Sequence, residues 1–124
     1  MPVLLELFSG TGSMGNAFRQ IGWEVISADI NPETIATINL DVRELTLEMV
    51  GQPDFIWASP VCTEYSRART TAKTPRDLEW ADSLVQAVLD LAREARCPVM
   101  FENPESGLWR HRDLVAGIPY RVID

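Results

Sequence analysis

A chain of 124 residues, 46% hydrophobic and 23% charged, has the mix of one compact globular domain. Its formal net charge of −7 excludes a domain that holds nucleic acid by bulk positive charge. Two cysteines, Cys62 and Cys97, form neither a disulfide framework nor a zinc pattern, and no run is apolar enough for a membrane span or a leader. A cytoplasmic protein with no metal site and no membrane partner is the expectation.

"PVLLELF" (2–8) is a short apolar run ended by "SGTGSMG", which predicts a buried parallel strand and a turn. "SMGNAFRQIG" predicts a helix stopped by Gly22, and "WEVISADI" (23–30) a second strand. Asn31-Pro32 opens "PETIATINL" (32–40), read as a short helix with proline in its first position. "DFIWAS" (54–59) reads as a strand after the turn residues Gly51 and Pro53. The longest helix is expected over 74–96, because Leu78, Ala81, Leu84, Val85, Val88, Leu91 and Ala92 recur at helical spacing. "PVMFEN" (98–103) reads as another buried strand, and "YRVID" as the start of one more. Alternating strands and helices imply an α/β fold, a mostly parallel sheet with helices on both faces. Ligands of such sheets bind beyond the carboxyl ends of the strands. The chemically loaded segments fall at those ends: "FSGTG", Asp29, "SPVC" and "ENP".

Gly10, Gly12 and Gly15 form G-x-G-x-x-G between a strand and a helix, a spacing that lets a ligand approach the backbone. Asp29 lies about 20 residues further on, where a carboxylate can accept hydrogen bonds from two ribose hydroxyls. On geometry this suits NAD and S-adenosylmethionine equally. Asp41 could receive an adenine amino group, or simply cap a helix or stand at the surface. Cys62 follows Pro60 and precedes a stretch holding Arg67, Arg69, Lys73 and Arg76 with no acid among them, either a solvated loop or one that contacts phosphate. Cys97 reads as a packing residue, Trp57, Trp80 and Phe101 as core, Trp109 as core or interface, and His111 as part of a solvated turn.

In order, "ELFSGTGSMGNAF", "ADIN", "LDVREL", "SPVCTEYS" and "FENPESGLW" resemble the motifs of the C-5 cytosine-specific DNA methyltransferases, in wording most like phage and bacterial members. The resemblance runs over essentially the whole chain. It implies a Rossmann-like S-adenosylmethionine-dependent methyltransferase fold over residues 1–124. Cofactor contacts are then expected from Phe8, Ser9, Gly10, Thr11, Gly12, Ser13, Asp29, Ile30, Asp41, Val42 and Pro60. Cys62 would attack C6 of a flipped cytosine, Glu102 would hold the Watson–Crick edge of the base, and Asn103 would orient Glu102 or the loop. Ser66, Arg67 and Arg69 would contact the DNA backbone. Val61 stands where the family usually has proline, Thr63 where glutamine is common, and Pro104 where valine is common. The family's later Q-x-R-x-R motif and target-recognition region have no counterpart. The expectation is therefore the N-terminal, C-terminally truncated part of a restriction-modification or phage-type enzyme. Such a part would not methylate DNA unaided and would need a complementing chain or a homodimer. Three alternatives remain open: an amino-methyltransferase acting on cytosine N4 or adenine N6, a nicotinamide-dependent oxidoreductase, and a non-catalytic cofactor-binding remnant.

Overall fold

The computed structural model describes residues 1–60, 78–103, 112–119 and 121. Strands β1 (Val3–Leu7), β2 (Glu24–Ala28), β3 (Phe55–Ala58) and β4 (Val99–Phe101) form a 4-stranded sheet in the order β2-β1-β3-β4. All neighbours are parallel, with Leu5 paired to Ile26 on one side and Ile56 on the other, and Ile56 paired to Val99. The chain leaves β1 toward β2 and later returns on the opposite side as β3. That reversal opens a crevice at the carboxyl ends of β1 and β3. The sheet is parallel, as the alternating pattern implied, and the arrangement is Rossmann-like, as the resemblance implied.

Side chains alternate across a sheet, so β1 serves two faces. Leu5 and Leu7 join Ala28, Ile56 and Ala58 in a core closed by Leu84, Val88, Leu91 and Ala92 of helix α3 (Leu78–Ala95). Burying each such leucine stabilises by about 1.5–3 kcal/mol. Val42, Leu45 and Val50 complete that core from a 3-10 turn (Val42–Glu44) and a one-turn helix α2 (Leu47–Val50). The other face takes helix α1 (Ser13–Gln20), whose Phe18 ring lies 5.0 Å from Trp23 and 6.1 Å from Phe55. Helices therefore cover both faces. Cys97 packs at the margin of the core, and its thiol is pushed up by burial and by the nearby Asp54 carboxylate. Arg112 reaches Asp82 of α3 at 2.6 Å and ties down a second 3-10 turn, Asp113–Val115.

One expectation fails, and another lies almost wholly outside the described residues. Residues 32–40 are not helical. Thr34, Ile35, Thr37 and Ile38 are β-branched and poor helix formers. Local polar bonds also hold the segment open: Asn39 Nδ2 donates to the carbonyls of Asp29 and Asn31, and Thr34 Oγ1 donates to that of Asn31. Ile38 instead bridges to Ala28, its N–H on Ser27 O at 2.9 Å and its carbonyl accepting from Asp29 N–H at 3.0 Å. In the stretch read as a last strand, Arg121 is not in a strand and the other residues lie outside the described ones. The short α2 and the turn before it escaped the periodicity because each is about one turn long. Each begins at a capping side chain, Asp41 accepting from Arg43 N–H and Thr46 from Met49 N–H.

Candidate active site

The turn after β1 is built from left-handed backbone. Phe8, Gly10 and Gly12 have φ of 56°, 52° and 78°. Glycine takes such angles freely, but for a bulky Phe8 they store strain of about 1–3 kcal/mol. Asp29, just past β2, holds this turn. Its Oδ2 accepts from Gly10 N–H at 2.8 Å and its Oδ1 from Asn31 N–H at 2.9 Å. Each oxygen keeps a lone pair for a further donor. Ser9 Oγ is shut away from solvent and has no hydrogen-bond partner among the described residues.

Beneath the turn, Glu6 is only 3% exposed, and its Oε2 accepts from Gly15 N–H in the first turn of α1 at 3.0 Å. Desolvation raises its pKa, against the opposing pull of the Gly15 and Met14 amides and of Arg19. This contact explains Gly15. An added Cβ there would stand 2.6 Å from Glu6 Oε1.

A cavity of about 290 Å³ opens at the carboxyl ends of β1 and β2. Of the residues singled out from sequence, Phe8, Asp29, Ile30, Asp41 and Val42 line it. Ser9, Gly10, Thr11, Gly12 and Ser13 form the adjoining turn and are not in its wall, nor is the buried Pro60. Leu7, Ala28, Leu40, Ser59, Trp80 and Leu84 line it too. Trp80 is a correction to the sequence reading: it is 37% exposed, on the cavity rim rather than in the core. Trp80 was read as core from its residue type, and the sequence does not show that its helix face runs past the edge of the core.

Asp41 turns out to be a cap. Its Oδ1 accepts from Arg43 N–H at 2.8 Å and from Arg43 Nε at 3.0 Å, and its Oδ2 takes Arg43 Nη2 at 2.7 Å. The guanidinium holds the Asp41 carboxyl below its usual range. A ligand amino group would share oxygens already engaged.

At the neighbouring strand ends, Glu102 is exposed and its N–H donates to Ala58 O at 3.0 Å. Asn103 Nδ2 donates to Pro60 O at 3.3 Å, and its Oδ1 is buried with no partner among the described residues. Asn103 therefore ties the end of β4 to the exit of β3 and does not bond Glu102. Cys62, Ser66, Arg67, Arg69, Lys73, Arg76, Pro104, Trp109 and His111 lie outside the described residues. Among those described, no group of His, Cys, Asp and Glu could hold a metal ion, and no helix is long and apolar enough to cross a membrane.

A probable DNA (cytosine-5)-methyltransferase of Frog virus 3 (isolate Goorha) is 29% identical over 98% of this chain and 61% of its own length. Type II methyltransferase M.AplI of Arthrospira platensis is 26% identical over 94% of this chain and 35% of its own. Type II methyltransferase M.FnuDI of Fusobacterium nucleatum is 33% identical over 52% of this chain and 22% of its own. The chain thus spans between about a fifth and three fifths of the length of these relatives. The family model described as D12 class N6 adenine-specific DNA methyltransferase matches residues 1–72. The chain belongs to that DNA methyltransferase family, which implies S-adenosylmethionine as methyl donor.

Proposed function

We propose that the chain is the cofactor-binding and catalytic part of a DNA methyltransferase that modifies C5 of cytosine. The observation that carries the choice of base is Asn103 on Pro60 O. It joins "FENP" to "SPVC" across adjacent parallel strands, so Glu102 and the backbone leading to Cys62 leave the sheet side by side. A cysteine two residues past Pro60 in the sequence and a carboxyl just past β4 suit covalent catalysis on a pyrimidine. Transfer to an exocyclic amino group needs no thiol.

The cavity fits S-adenosylmethionine on its own chemistry. Asp29 has both oxygens pinned by amides and a lone pair left on each for a ribose diol. Ser9 Oγ, beside the glycine turn, is a buried hydroxyl with no partner among the described residues. Glu6 already occupies an amide at the start of α1, which disfavours a doubly charged pyrophosphate there and so a dinucleotide. Phe8, Ile30 and Val42 would enclose the nucleoside, and Gly10 and Gly12 would allow close approach of the amino-acid end.

When bound, the sulfonium supplies an electrophilic methyl group. The Cys62 thiolate adds to C6 of the flipped base, with Arg67 and Arg69 candidates to lower its pKa. Glu102 holds the proton at N3, so that the ring accepts the thiolate and C5 becomes nucleophilic. After methylation, loss of the C5 proton to a base expels Cys62 and restores the ring. Asn103 keeps the two strand ends in register. Ser66 and the basic segment would take backbone phosphates, DNA being the partner.

The D12 family match favours a second reading, methylation of adenine N6. Trapping separates the two. With a complementing target-recognition chain present, the protein, supplied with S-adenosylmethionine and an oligonucleotide bearing 5-fluorocytosine, should form a covalent adduct that Cys62→Ala does not. Methyl label recovered as N6-methyladenine, unaffected by Cys62→Ala, would refute the cytosine assignment.

A further inference from the structure

We infer that Asn39, from outside the cavity, is a positioning residue that holds Asp29 ready for the ribose of the cofactor. The inference rests on the reading of the cavity as the S-adenosylmethionine site, with Asp29 as its ribose acceptor.

Two successive residues of the segment that returns to the end of β2 grip the backbone of Asp29. Its N–H donates to Ile38 O at 3.0 Å, and its carbonyl accepts from Asn39 Nδ2 at 3.2 Å. The same Nδ2 donates to Asn31 O at 3.1 Å and reaches Thr34 Oγ1 at 3.4 Å. Carbonyls only accept, so the amide nitrogen of Asn39, and not its oxygen, must face them. The register of this grip is set just before it. Thr37 N–H donates to Ser27 Oγ at 2.9 Å, and Ile38 N–H to Ser27 O at 2.9 Å. Ser27 is 5% exposed within β2, so the anchor is seated in the sheet and delivers Asn39 to the turn at 29–31.

That turn carries the carboxylate. Asp29 Oδ1 accepts from Asn31 N–H, while Asn39 ties together the carbonyls of Asp29 and Asn31. Without the amide, Asn31 is free to swing and Oδ1 loses its fixed direction. Asn39 is exposed and is not in the cavity wall, so water can replace its donor and the fold loses little. The loss falls on the geometry offered to the ribose. Apparent affinity scales with the fraction of molecules holding the competent geometry, so a fall to about a tenth to a third weakens binding about 3- to 10-fold.

Calorimetric titration of the full chain with S-adenosylhomocysteine and with its 2′-deoxyribose analogue tests this. Wild type should bind the analogue about tenfold or more weakly, the weight of a hydrogen bond to a carboxylate. Asn39→Ala, and Asn39→Asp, which keeps the shape and loses the donor, should bind S-adenosylhomocysteine about 3- to 10-fold more weakly than wild type does. Both should bind the analogue as wild type does, so the penalty for the missing hydroxyl shrinks by the same factor, with circular dichroism unchanged. A purely structural role would weaken both ligands alike and keep that penalty. This result, or wild-type affinity in both variants, would overturn the inference and leave the ribose reading standing. Equal binding of the two ligands by wild type, or no heat with either, would overturn the ribose reading and the inference together.

Discussion

Replacing Gly15 by alanine should destabilise the protein, although alanine is the better helix former. In an unconstrained helix interior the change stabilises by about 1 kcal/mol. Here the new methyl would meet Glu6 Oε1 at 2.6 Å and Val25 Cγ1 at 3.0 Å. Glu6 is 3% exposed and bonded to the Gly15 amide itself, so it cannot swing away without giving up that bond. Losing a hydrogen bond to a carboxylate costs about 1.5–3 kcal/mol, and crowding a packed site about 1–3 kcal/mol more. Set against the propensity gain, the net loss is about 1.5–5 kcal/mol. Urea denaturation at neutral pH measures it. The same substitution in a Glu6→Ala background should cost about 1.5–3 kcal/mol less, because the carboxylate no longer stands in the way. A Gly15→Ala protein as stable as wild type would refute the reasoning. So would a full loss undiminished by Glu6→Ala, which would move the cause to Val25.

Glu6 also sets a pH dependence. Its folded pKa is raised by burial, so the folded state holds the proton more tightly than the unfolded one. Its contribution to stability is present below the unfolded value and is lost as pH rises through the folded value. Relative to Glu6→Gln, wild type should therefore lose stability on going from acid toward neutral pH, and parallel urea midpoints across that range would contradict this. Asp29→Ala should weaken S-adenosylhomocysteine binding by about tenfold or more in calorimetry, the weight of one charge-assisted hydrogen bond, and unchanged affinity would remove the ribose assignment. Arg96 closes α3 with φ of 55°, a conformation costing a non-glycine residue about 1–2 kcal/mol, so Arg96→Gly should raise the melting temperature by about 4 °C. Asp41→Ala removes the cap on the Arg43 amide and should cost about 0.5–2 kcal/mol in urea denaturation.

The strands, α1 and the described part of α3 were legible because each carries its own period or an uninterrupted apolar run, bounded by glycine, proline or a turn. The segment 32–40 was not. Its proline start suggested a helix, but its fate was decided by Ile38 finding Ala28 at the sheet and by Asn39 reaching two carbonyls. Those are contacts with residues outside the segment, which no local pattern reports. The site divides in the same way. Phe8, Asp29, Ile30, Asp41 and Val42 could be named from motifs and do meet at one cavity. Trp80 could not, since a tryptophan at helical spacing looks alike whether its face ends in the core or at a rim. Asp41 was ambiguous between cap and ligand until Arg43 was seen closing on it.

Residue types and their order by themselves determined the class of fold, the end of the sheet where chemistry gathers and the kind of reaction to look for. Turn glycines, buried runs and strand-end polar residues act through local sterics and burial, which are written in neighbouring positions. Only the tertiary structure decided why Gly15 must be glycine, that Asn103 serves the Pro60 backbone rather than Glu102, and that Trp80 faces the cavity. Each depends on which atoms from distant parts of the chain come within a few ångströms, and packing alone sets that distance.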